Sequence, residues 1–104
     1  MEIKLHERLS LLMNWPSKGT PLRLLILDEI KDLININREE REEYEIVEKT
    51  DDTGRINISW NTKGINAVKE VDFSKDQKEA LKDILDKMGE DFPISLLELY
   101  KKLQ

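Results

Sequence analysis

The sequence predicts an α+β fold: a helix-rich single domain in the order α-α-α-β-β-(β)-α-α, with a winged-helix-like N-terminal half and a small antiparallel sheet. Three observations carry that expectation. Leucine and isoleucine recur at helical spacing in the first third of the chain and again after Ser74. Between Tyr44 and Trp60 the apolar period shortens to two. Capping and turn residues stand where one pattern gives way to the other. A length of 104 residues suits one domain spanning 1–104, with a core large enough to fold without metals or disulfides.

Leu5, Leu9 and Leu12 place a first helix from Ile3 to about Asn14, which must stop there because Pro16 drives Trp15 out of the α region. Thr20-Pro21, a cap followed by proline at the first helical position, opens a second helix to about Ile34. Its apolar residues spread over more than one stripe, as expected of a helix contacted from several sides. Asn37 and Glu40 have capping-box spacing and start a short third helix from Arg38 to about Tyr44.

Ile56, Ile58 and Trp60 then alternate with Asn57, Ser59 and Asn61, and Asp51-Asp52-Thr53-Gly54 is turn chemistry, so a hairpin is expected. Asn61-Thr62-Lys63-Gly64 closes its second strand, and Val71 and Phe73 alternate with Glu70 and Asp72 in a third. Ser74 with Gln77 opens a helix to about Met88, ended by Gly89. Ser95 with Glu98 has the same spacing and opens a last helix whose Leu96, Leu99, Tyr100 and Leu103 face inward.

Function is less legible. Cysteine is absent, which removes thiol nucleophiles, redox motifs, cysteine-ligated zinc and disulfides. Met1 to Arg8 reads as an amphipathic helix rather than a signal peptide, and no apolar run is long enough to span a bilayer; the expected location is the cytoplasm, with no membrane partner. His6, the only histidine, has no nucleophile or orienting carboxylate fixed around it, and reads as an exposed helical side chain. Lys18-Gly19-Thr20 lacks the glycine-rich lead-in and the residue order of a phosphate loop, which leaves a loop with a helix cap. Asp51-Asp52-Thr53-Gly54 lacks the alternating ligands of a calcium loop. Glu39 and Glu43 share a helix face, but a helix this polar cannot bury them deeply enough for acid–base work. The expectation is a protein that is not an enzyme and takes no metal or cofactor.

The net charge of −5 is local: residues 38–52 hold eight acids and three bases, while the rest of the chain is balanced at 14 of each sign. Such a third helix and hairpin tip would repel phosphate, so nucleic acid is not expected as a partner. The first helical turn accounts for Glu39 and Glu40, and favourable spacing for Arg38 with Glu42 and Arg41 with Glu45. Glu43, Glu48, Asp51 and Asp52 have no such local account and are the candidate partner-binding residues, suited to a basic surface on another protein. The alternative is a self-associating structural protein, a homodimer for example, joined through a stripe of Leu81, Ile84, Leu85 and Met88 with Leu96, Leu99, Tyr100 and Leu103.

End to end, "IKLHERLSLL", the "INREEREEYEI" step into a hairpin ending in "ISWN", and "EVDFS" before a helix resemble small uncharacterised proteins encoded in phages and prophages. The resemblance implies a setting rather than an activity: action on a host factor or defence system, or a part in virion assembly.

Overall fold

A computed structural model describes residues 1–104. The chain starts with a strand, β1 (Glu2–Lys4), and continues through α1 (Leu5–Met13), α2 (Pro21–Ile34), α3 (Arg38–Glu43), the hairpin β2 (Val47–Thr50) and β3 (Ile56–Ser59), a single turn α4 (Thr62–Ile65), β4 (Val68–Glu70), α5 (Lys75–Asp86), two 3₁₀ turns at Gly89–Asp91 and Ile94–Leu96, and α6 (Leu97–Lys102). This is the helix-rich α+β domain expected. No helix is long and apolar enough to cross a membrane.

The strands depart from expectation. Ile3 belongs to a strand rather than to the first helix, and the third strand is Val68–Glu70, not the Val71–Phe73 region. β1 and β4 pair antiparallel with Ile3 opposite Lys69, so two separate two-stranded sheets form and the hairpin gains no third strand. The reason is burial: Ile3 is fully buried between exposed Glu2 and half-exposed Lys4, a period-two pattern that precedes the helical stripe. Val71 and Phe73 do point inward, but as core anchors in the extended segment leading to α5.

Most predicted caps form. Thr20 Oγ1 accepts the Arg23 N–H, and Asn37 with Glu40 and Ser74 with Gln77 make reciprocal capping boxes. The Ser95–Glu98 box does not. Ser95 lies in a 3₁₀ turn and donates to Ser10 Oγ, α6 begins at Leu97 without a side-chain cap, and Glu98 instead meets Lys4 Nζ at 3.2 Å. Asn61, expected in a turn, caps the unforeseen α4: its Oδ1 accepts the Gly64 N–H, while its Nδ2 donates to the Glu43 carbonyl at 2.9 Å. That one side chain fastens the end of the hairpin to the end of α3.

The main core joins Ile3 and Leu11 to Leu27, Ile30 and Ile34 of α2, Ala80, Leu81 and Leu85 of α5, and Leu96 and Leu99 near the C-terminus. A smaller cluster, Leu5, Leu9 and Ile36, packs under Tyr44, Ile46, Ile58 and Trp60 and seats the hairpin. α2 is therefore central on one side only; Leu22 and Leu25 remain 70% and 65% exposed. The proposed C-terminal stripe faces inward: Leu81, Leu85, Leu96 and Leu99 are buried, and Ile84, Met88, Tyr100 and Leu103 half-buried against the same core. It closes the fold instead of lying free.

Candidate interaction surface

The acidic segment begins where α1, α2 and α3 meet, and its geometry is set by a buried arginine. Arg8 is 3% exposed because it lies on the same face of α1 as Leu5 and Leu12. Its Nε donates to the Ile34 carbonyl at 2.9 Å and its Nη2 to the Asn35 carbonyl at 2.6 Å, satisfying acceptors left over where α2 ends. The same guanidinium makes a two-pronged contact with Glu40, at 2.6 and 3.1 Å. The hydrogen bond from Arg8 holds the Glu40 carboxyl below the usual glutamate range, against the opposing effect of burial. Glu40 thus serves as more than a first-turn acid; it is the internal counter-ion of a buried cation.

The other acids divide in a way that spacing alone does not show. Arg38 meets Glu42 as expected, at 3.2 Å. Arg41 turns away from Glu45 and lies 3.7 Å from Glu48 on β2. Asp51 organises the hairpin turn: its Oδ1 accepts the Thr53 N–H at 2.9 Å, the Thr53 hydroxyl at 2.6 Å and the Arg55 N–H at 2.9 Å. The Thr53 hydroxyl, followed by the Arg55 N–H, holds the Asp51 carboxyl below its ordinary range. Two of the four candidate residues, Glu48 and Asp51, therefore have intramolecular work. Glu43 and Asp52 are exposed and make no ion pair, as do Glu39 and Glu45.

Glu45 is the residue that spacing misplaced. α3 ends in a Schellman motif, with the Ile46 N–H bonded to the Arg41 carbonyl at 3.0 Å and the Glu45 N–H to the Glu42 carbonyl at 3.3 Å. This places Glu45 in the left-handed region at φ 49°, the one non-glycine residue of the chain with positive φ. Glycine is the usual occupant of that position. Its backbone turn carries the Glu45 side chain past the helix end, beyond its anticipated pairing with Arg41.

The positions relate simply. Glu39 and Glu43 are one helical turn apart on α3, Glu45 follows at its end, and Asp52 stands at the tip of the hairpin, separated from them by β2. Six residues of α3, four of them glutamate, form no cationic element for phosphate. His6 is half-buried on α1 and takes part in no hydrogen bond or ion pair, and no three His, Asp or Glu side chains converge to hold a metal ion. Compared with protein-family models, curated proteins and solved structures, the chain matches none.

Proposed function

We propose that the protein acts by contact with another protein, through the exposed carboxylates of α3 and the hairpin, and that the partner surface is basic. The observation that carries this reading is Glu45, a carboxylate kept where the backbone favours glycine; left-handed non-glycine residues cost on the order of 1 kcal/mol and invite a functional account. Glu39, Glu43 and Asp52 support it, being acids with no intramolecular cation in a chain that otherwise pairs its acidic segment well. Charge of this kind sets encounter rate and partner choice more than affinity. In keeping with the sequence resemblance to phage and prophage proteins, we take the partner to be a host factor, met in the cytoplasm without catalysis, cofactor or nucleic acid.

The test is capture from a host lysate by the wild-type chain and by the Glu43→Lys/Glu45→Lys/Asp52→Lys variant, with Glu90→Lys as a distant control. The expected result is a partner released by added salt, lost with the triple variant and retained by the control. Capture that is indifferent to both salt and charge reversal would overturn the reading.

A further inference from the structure

A second surface lies away from the acidic segment, in a cleft of about 550 Å³ between the loop before α2 and the last turns of α5. That volume is in the range of small-molecule sites. Three cationic residues line it, Lys18, Arg23 and Lys87, in a chain whose net charge is −5. Asp83, the one acid in the lining, is engaged by Lys87 at 3.0 Å; Lys18 and Arg23 have no carboxylate within ion-pair distance. Asp76 and Glu79 share a neighbouring groove with Arg23 but do not reach it as ion pairs. The backbone N–H groups of Lys18, Gly19 and Thr20 have no acceptor in the chain, and all three residues line the cleft. The floor is apolar: Leu27 is buried, and Ile84 and Met88 are half-buried.

We propose that this cleft binds a small phosphate-bearing ligand with an apolar body, the phosphate held by Lys18, Arg23 and Lys87 and the body against Leu27, Ile84 and Met88. Arginine and lysine with free N–H donors favour a multiply charged oxyanion, since charge-assisted hydrogen bonds are the stronger kind. The apolar floor requires a ligand larger than the anion alone. Lys18-Gly19-Thr20, which by order and context is not a phosphate loop, supplies one side of this site through its place in the fold.

The intact chain is titrated with phenyl phosphate, inorganic phosphate and phenol at fixed ionic strength, following backbone amide resonances. The proposal expects saturable shifts at Gly19, Thr20 and Lys87 with phenyl phosphate, weaker binding of inorganic phosphate, and still weaker binding of phenol. Lys18→Gln and Arg23→Gln should each weaken phenyl phosphate about tenfold, the loss of one charge-assisted contact, with Lys101→Gln unchanged. Lys18 is exposed, so its variant keeps the test readable even if loss of half-buried Arg23 disturbs folding. Shifts that do not saturate, phenol binding equal to phenyl phosphate, or a Lys18→Gln variant that binds as wild type would each overturn it.

Discussion

Arg8 and Glu40, 32 residues apart, form a two-pronged ion pair on which three helices converge. The guanidinium is almost wholly inside, and two further N–H groups donate to the last carbonyls around the end of α2. Removing one partner of such a pair leaves the other desolvated, which costs about 3–5 kcal/mol. Arg8→Met should therefore destabilise by about that amount, because it strands Glu40 and two backbone carbonyls at once. Glu40→Gln should cost less, about 1.5–3 kcal/mol, since Arg8 keeps the carbonyls of Ile34 and Asn35. Urea unfolding of the two variants measures both, and equal losses would contradict this division of labour.

The pair also makes stability depend on pH with a definite sign. The Glu40 carboxyl is lowered from an ordinary value of 4.5 in the folded chain. The unfolded state therefore binds its proton more readily, so the contribution of Glu40 is fully present above about pH 4.5 and is lost as pH falls through its lowered folded value. Glu40→Gln should flatten the acid limb of a stability–pH curve between neutral pH and pH 3. An unchanged acid limb would remove Glu40 as its source, leaving Asp51, which is shifted in the same direction, as the next group to test.

How far the sequence was legible follows from the range of the interactions involved. Local signals held: Thr20-Pro21, Asn37 with Glu40, Ser74 with Gln77 and the Asp51–Gly54 turn all act within a few residues of themselves. The pairing of β1 with β4 joins residues 2–4 to 68–70, and no local pattern ranks that partner above another. Ser95 and Glu98 show the converse: the spacing was right, but Ser10 and Lys4 offered better partners across the fold. Arg8 did carry a readable signal, since three residues after Leu5 and four before Leu12 it had to lie on the apolar stripe and needed a counter-ion. Among the candidate site residues, Glu48 meets Arg41 only because β2 follows α3 through a tight turn, whereas Asp51 is held by Thr53 and Arg55 within its own turn, as local spacing allows.

Gly64 is held by packing rather than by backbone freedom. A Cβ at that position would stand 2.6 Å from Trp60 Cδ1 and 3.0 Å from Leu5 Cδ2, inside the small cluster that seats the hairpin. Trp60 and Leu5 would both have to move, so Gly64→Ala should destabilise by about 1–3 kcal/mol, as overpacked sites do. The tryptophan emission of the folded variant should shift as the indole is displaced. Wild-type stability with unchanged emission would show that the cluster is looser than these distances imply.

Tyr100 joins the end of the chain to α5 by donating to Asp86 Oδ1 at 2.5 Å, with its ring edge-on to Phe92 at a centroid separation of 5.5 Å. The hydrogen bond to Asp86 raises the phenol above its ordinary value of 10.0, because the neutral hydroxyl is the donor and a phenolate would face a carboxylate. Folding thus favours the protonated form: the contribution is present below pH 10 and is lost as pH rises through the raised value. An ultraviolet titration should find Tyr100 ionising above the ordinary range, and Asp86→Asn should bring it back toward that range. An Asp86→Asn variant in which Tyr100 titrates as in the wild type would show that the contact does not persist in solution.

Glu45 sets stability against the proposed contact. Its left-handed backbone costs a non-glycine residue about 1–2 kcal/mol, while glycine adds back about 0.5–1 kcal/mol of chain entropy on folding. Glu45→Gly should accordingly stabilise by roughly 0.5–1 kcal/mol, seen as a higher urea midpoint at unchanged slope. Glu45→Lys keeps a Cβ and with it the backbone strain, and should leave stability nearly unchanged. If the carboxylate is there for a partner, both variants lose salt-sensitive capture although only one gains stability. That pattern separates loss of the charge from any change in the fold, and a Glu45→Gly variant that is more stable and captures as well as wild type would show the strain to be purposeless.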